Sequence, residues 1–345
     1  MSNRPKLSSA ATQTVLGIAI AAVLLWLFFR GTDLNAIGQS VASANLSLIV
    51  AAAIMTLVTN FWRALRWQVL LAPLGHAGLW NCFATTLIRF TVNFLVPPGR
   101  IGEIAGPYLL ARKEGFSASS AFATIFLERI LDLVSVVMLI GAWLLVAQPP
   151  SSSDEVMLAL RTGGVLGFVG SVAALSVLFA FARKPEKAKY LSGRIFRILP
   201  AKLEAKMTRF AETFIAGLAV LVDAASFVKA LVMSIGVWVS IAAAFWLGAR
   251  ALGVEFPFGD TFLVIGFLTL GVAVPTPGAV GGYHYMCALA LTKLFGVDPA
   301  VAGAVALVNH AIAYLPVTAI GIFLLPSFGG SFRQLKTISR EDEEE

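Results

Sequence analysis

Apolar residues run almost unbroken through six stretches, roughly Thr12–Phe29, Leu46–Arg66, Ala118–Val146, Leu158–Ala182, Phe227–Ala249 and Ala300–Leu325. Each is close to or beyond the length of about 20 residues that lets a helix cross a bilayer. Two further stretches, Trp80–Leu110 and Phe262–Phe295, are equally apolar but broken near the middle by Pro and Gly. The pattern predicts an all-α, polytopic transmembrane helix bundle of about six full spans plus two re-entrant broken helix pairs. The first stretch leads into Trp26, Phe28, Phe29 and Arg30 with no small-residue cleavage site. It therefore reads as a span and not as a cleaved signal.

The two broken stretches match one another. At a shift of 179 positions Pro98-Gly99 falls on Pro277-Gly278 and Gly102 on Gly281; at 181, Gly115 falls on Gly296 and Ser117 on Asp298. Ser and Asp are good helix N-caps, and Pro299 suits a first helical turn. Two copies are expected, at 79–146 and 258–325, each an apolar stretch, a Pro-Gly break, a second stretch, a Gly turn and a capped spanning helix. Three crossings lie between them, which would invert the second copy. Backbone that leaves the helix within hydrocarbon must be covered by protein or water. Inverted repeats with broken helices point to a site near the bilayer midplane.

Charge sets the expected orientation. Lys and Arg cluster at Arg4 and Lys6, in the tail, and above all between Arg183 and Arg209, where nine basic residues face only Glu186 and Glu204. The loops around Gln148–Glu155 and Gly253–Asp260 hold acids and no Lys or Arg. Cytoplasmic loops carry the basic excess, so both termini and the 183–225 loop are expected on the cytoplasmic side. Within that loop Leu203, Met207, Phe210, Phe214 and Leu218 recur at helical spacing opposite Lys202, Lys206 and Arg209, as in a helix lying on an anionic leaflet. The acidic 333–345 tail reads as a solvated end.

Composition agrees with the class. Of 345 residues 58% are hydrophobic and 13% charged, with a mean hydropathy of +0.84. A soluble domain is nearer 45–50% apolar and about 25% charged, so a single integral membrane domain is expected over 1–345. The formal charge of +7 is explained by cytoplasmic loops without nucleic acid as a partner. Cys82 and Cys287 sit in apolar stretches and predict neither a disulfide nor a metal site.

Candidate chemistry gathers at the breaks. The first reads Asn93-Phe-Leu-Val-Pro97-Pro98-Gly99-Arg100-Ile-Gly102-Glu103. A half-helix starting near Gly99 would offer free N–H groups, and Arg100 a guanidinium fork, to a phosphate or carboxylate. Glu103 stands one turn on and could equally just pair with Arg100. Arg89 could join the same cavity. Glu128-Arg129-x-x-Asp132 places three charges inside a span, where each costs about 2.5–3.5 kcal/mol on insertion scales. They read either as proton-coupling groups or as an internal salt-bridge network. In the second copy Glu128 and Arg129 correspond to Asn309 and His310, with Tyr314 one turn later. Gly278 and His284 mark a weaker, Arg-free second site. Arg63, Arg66 and Trp67 end the second span and are expected to anchor it at the inner interface.

No phosphate-binding loop, H-E-x-x-H, G-x-S-x-G or dinucleotide fingerprint is present. No cofactor is expected, and the chain reads as no enzyme. The residues Arg63-x-x-Arg66-Trp67, Asn93-x-Leu95-x-Pro97-x-x-Arg100-x-Gly102-Glu103, Gly115-Phe116, Glu128-Arg129-x-x-Asp132, Pro277-Gly278-x-x-Gly281 and His310…Tyr314-x-Pro316 resemble a flippase-like membrane family. That family is related to the transmembrane half of lysylphosphatidylglycerol synthase, the bacterial multiple peptide resistance factor. Gly106 and His284 stand where the family often has Arg and Glu. The resemblance implies movement of a phospholipid, glycolipid or hopanoid-type lipid between leaflets of a bacterial inner membrane. Membrane lipids are the implied partners, with other membrane proteins or lipid-synthesis enzymes beside them. A membrane-embedded enzyme or accessory subunit for lipid-linked glycan or lipid modification is the alternative.

Overall fold

A computed structural model describes residues 9–30, 33–95, 101–146, 154–198 and 223–329, with scattered positions between 200 and 211. The described residues form helices and no strand. In chain order these are α1 (Ser9–Phe29), α2 (Leu34–Ala42), α3 (Leu46–Leu71), α4 (Leu79–Leu95), α5 (Gly102–Glu114), α6 (Ala118–Val146), α7 (Asp154–Arg183), α8 (Pro185–Phe196), α9 (Ala224–Ala251), α10 (Thr261–Ala273), α11 (Gly282–Phe295) and α12 (Pro299–Leu324). Arg100, Gly99 and the prolines of the first break, most of the expected amphipathic segment and the 333–345 tail lie outside the described residues.

Five helices are long and apolar enough to cross a membrane, within 46–74, 120–146, 162–183, 224–251 and 299–328. A sixth span arises if Val15–Phe29 and Leu34–Ala42, bent by 84° at a short break, count as one. The polytopic helical bundle is as expected from the apolar runs. Between its helices small residues permit close approach, as lipid gives no hydrophobic drive for association. A side chain on Gly141 of α6 would meet the Gly164 carbonyl of α7 at 2.6 Å. One on Gly321 of α12 would run into Thr91 of α4, whose hydroxyl donates to the Val317 carbonyl at 3.2 Å.

Both broken stretches fold into antiparallel hairpins. At the open end of the first, Glu114 closing α5 accepts from Gly78 N–H at 2.9 Å and Asn81 Nδ2 at 2.8 Å, beside the start of α4. Near its break, a side chain on Gly102 would collide with the Arg89 carbonyl. In the second hairpin Phe256, just before α10, stacks on Phe295 closing α11 at 4.9 Å between centroids. Gly271 and Gly282 touch backbone to backbone near its break. The two ends of each stretch therefore lie on one side of the bundle. Gly115 and Gly296 close the hairpins in the left-handed region, at φ 79° and 63°. Asp298 then caps α12, accepting from Ala300 N–H at 2.9 Å and Val301 N–H at 3.3 Å. The corresponding Ser117 contact, from Ser120 N–H, is longer at 3.5 Å.

Candidate functional site: a buried ion cluster between two helix breaks

The charges do not face lipid. Arg66 of α3, Arg89 of α4, Glu103 of α5 and Glu128, Arg129 and Asp132 of α6 converge inside the bundle. Arg66 Nη1 donates to Asp132 Oδ1 at 2.6 Å and to Ser234 Oγ of α9 at 3.0 Å. Arg89 Nη1 donates to Glu128 Oε2 at 2.8 Å and lies 3.8 Å from Glu103 Oε2. Arg129 stands 3.5 Å from Asp132, 3.7 Å from Glu128 and 3.8 Å from Glu103. Asn93 Nδ2 donates to Glu103 Oε1 at 3.2 Å. Three guanidinium groups thus face three carboxylates from four helices.

The local sequence explains this convergence. Glu128 and Asp132, four apart, share one face of α6, and Arg129 reaches Asp132 at i,i+3. Gly102 and Gly106 clear the space that Arg89 fills, since a side chain on Gly106 would meet Arg89 Cβ at 2.9 Å. The Arg89 guanidinium lies 5.3 Å from the Trp67 ring centroid and 5.1 Å from that of Phe90. Desolvated contacts of this kind hold a cation over an aromatic face.

The cluster grades from sealed to open. Arg66, Arg89 and Glu128 have fully buried side chains, whereas that of Arg129 is 33% exposed. Nε and Nη2 of Arg66, Arg89 and Arg129 have no hydrogen-bond partner among the described residues. Buried guanidinium donors left unmet are costly, and carboxylate or phosphate is the ligand that matches their fork. A complete buried ion network is also a poor source of stability, because apolar residues of like volume serve as well or better. Glu128 Oε1 and Asn93 Oδ1 are also without a hydrogen-bond partner among the described residues, so the cluster leaves both donors and acceptors unmet.

The second break carries different chemistry. His310 Nε2 donates to the Gly278 carbonyl at 2.9 Å, and Gly281 N–H donates to His284 Nδ1 at 3.4 Å. The two imidazoles lie 4.5 Å apart, and Tyr314 sits 4.5 Å from His310. Phe94 of α4 stacks on Tyr314 at 4.9 Å. Gly278 and Ala279 take φ of 60° and 56°, a left-handed excursion that glycine accepts and alanine rarely does. Asn93 and Phe94 are consecutive, one bonded to Glu103 of the ion cluster and the other packed on the second break.

The sequence-derived residues thus divide. Arg89, Glu103, Asn93, Glu128, Arg129 and Asp132 come together at one centre, and Gly278, His284, His310 and Tyr314 at another. Glu103 meets Arg89 and Arg129 there, whatever Arg100 contributes from outside the described residues. Asn309 joins neither: its amide donates to the Val305 carbonyl at 3.1 Å and packs where Gly248 of α9 leaves room. The expected interface anchors need correction. Arg66 and Trp67 are fully buried, and Trp67 Nε1 donates to Thr124 Oγ1 at 2.9 Å. Arg63 lies with its guanidinium 4.7 Å over Phe90. The reason is that α3 continues to Leu71, so Arg66 is within the helix instead of ending it. Ser234 and Thr124 drew no attention in the sequence, and nothing in their local surroundings marks them. Cys82 and Cys287 are buried free thiols.

The family model for the lysylphosphatidylglycerol synthase TM region matches residues 14–321. The chain belongs to this family. Its relatives include Glycosyltransferase AglD of Haloferax volcanii, 25% identical over 335 residues, which cover 90% of this chain and 53% of that protein. Two UPF0104 membrane proteins of Methanothermobacter thermautotrophicus are 22% and 23% identical, covering 92% and 91% of this chain and 95% and 91% of their own lengths. The chain is thus an integral, multi-pass member of a membrane family, and these relatives are archaeal. It spans about half of the AglD relative. The expectation that the chain is no enzyme is corrected here. A protein similar over nine-tenths of it is named a glycosyltransferase, and missing soluble-enzyme motifs carry no weight against that.

Proposed function

We propose that the chain is a membrane-embedded component of lipid or lipid-linked glycan modification, an enzyme or an accessory subunit, that holds an anionic lipid headgroup. The observation that carries this is the trio Arg66, Arg89 and Arg129, whose Nε and Nη2 donors are buried without hydrogen-bond partners among the described residues. A phosphate entering past Arg129, the open edge of the cluster, would meet them. The acyl or prenyl tail would stay in the bilayer. The glycosyltransferase name of the AglD relative supports a modification role, and the family description supports a lipid substrate.

A second reading is transfer of the lipid between leaflets. The two hairpins favour it, because each precedes a spanning helix in the same order. In that reading 79–146 and 258–325 are inverted copies that rock about the ion cluster. For either reading we place both termini and the basic 183–225 segment on the cytoplasmic side, from the distribution of Lys and Arg.

The test is binding of labelled phosphatidic acid to the full chain in phosphatidylcholine nanodiscs. Arg129→Gln is expected to weaken it about tenfold, as loss of a charge-assisted bond implies. Binding that is unchanged overturns the anion site. Conversion of a labelled glycosyl phosphopolyprenol to a new product marks an enzyme. Leaflet exchange without conversion marks a transporter.

A further inference from the structure

The second break holds polar capacity that the anion site leaves unused. Both of its imidazoles have one ring nitrogen committed to backbone. His310 Nε2 faces the Gly278 carbonyl, which only accepts, so Nε2 carries the proton and, in the neutral ring, Nδ1 is left as an acceptor. His284 Nδ1 accepts from Gly281 N–H, so its proton is on Nε2, which is left as a donor. Among the described residues no hydrogen bond reaches either remaining nitrogen. The ring centroids are 4.5 Å apart, so the two imidazoles border one space. In the same break the Thr276 hydroxyl is buried without a hydrogen-bond partner among the described residues. Around them stand the rings of Phe94, Tyr283 and Tyr314. Among the described residues no ion pair joins either imidazole to an acidic side chain.

We infer that the second break is a subsite for a neutral, hydroxyl-rich headgroup, a sugar or a polyol. A hydroxyl both gives and takes a hydrogen bond, and the His284–His310 pair offers the complement of each. A phosphodiester only accepts, so it would pair with His284 Nε2 alone and leave the acceptor nitrogen of His310 unmet. The aromatic faces suit the apolar C–H face of a sugar ring. The inference deepens the proposed function and rests on it. A headgroup with its phosphate on the arginines would extend its hydroxyl portion past Asn93 and Phe94, the two neighbours that border the two centres.

The experiment compares three lipids competing for the full chain in phosphatidylcholine nanodiscs. Phosphatidic acid offers phosphate alone, phosphatidylglycerol adds a polyol, and a glucosyl phosphopolyprenol adds a sugar. At least one hydroxyl-bearing lipid is expected to bind about tenfold tighter than phosphatidic acid, the yield of two neutral hydrogen bonds. The tighter of the two identifies sugar or glycerol as the source. His284→Phe, which keeps an aromatic ring, is expected to abolish that preference while phosphatidic acid binds as before. Should it fail to fold, His284→Asn retains an acceptor for Gly281 N–H and removes the outward donor. Equal binding of all three lipids to the wild type, or a preference that survives a folded His284 variant, overturns the subsite. Failure of every lipid to bind overturns the proposed function itself, and phosphatidic acid binding without preference overturns the subsite alone.

Discussion

The two hairpins share a backbone plan and differ in everything that surrounds their breaks. Each packs its halves through glycine, at Gly102 against Arg89 and at Gly271 against Gly282. Each ends in a left-handed glycine and a capped helix. Yet the first borders three guanidinium groups and three carboxylates, and the second borders two imidazoles and aromatic rings. A broken helix in a bilayer requires only that its free backbone groups be covered. Backbone geometry therefore dictates that a polar centre exists, and the side chains of neighbouring helices dictate what it binds.

The largest effect tests the charged half. Glu128→Leu leaves Arg89 buried beside Glu103 alone at 3.8 Å. Removing one partner of a buried pair costs about 3–5 kcal/mol, measurable as unfolding free energy by steric trapping in bicelles. A loss below about 1 kcal/mol would mean that the cluster is hydrated and not closed. The same deletion has no counterpart at the second break, where no ion pair joins the imidazoles among the described residues.

A middle-sized effect tests the shared plan. Gly102→Ala and Gly271→Ala should each cost about 1–3 kcal/mol from overpacking, by the same measurement. If only one is destabilising, the two hairpins are not equivalent in packing and the common plan fails. The smallest effect compares the caps that follow them. Asp298→Ala and Ser117→Ala should each cost about 1 kcal/mol, the loss of an N-cap. Unequal losses would show that the two spanning helices are not capped alike.

Much of this was legible along the chain. The runs Ala118–Val146 and Ala300–Leu325 reappear almost residue for residue as α6 and α12, because uninterrupted apolar length leaves a helix no other stable place. The i,i+4 spacing of Glu128 and Asp132 was enough to put both on one face. Arg66 and Trp67 were misread as an interface pair because aromatic and basic residues at the end of an apolar run usually mark one. The residue that holds Arg66 inside, Asp132, is 66 positions away. The role of Asn309 was equally hidden, since it depends on the room that Gly248 leaves on another helix.

By itself the sequence determined that the protein is a multi-span helical membrane protein with two interrupted stretches, because hydrophobic length, Pro-Gly interruption and helical spacing act locally. Only the tertiary structure decided that Arg66, Arg89 and Arg129 share one centre with Glu103, Glu128 and Asp132, and that His284 meets His310. Those contacts join helices far apart in the chain, and a charge in hydrocarbon is stable only against partners that folding brings to it.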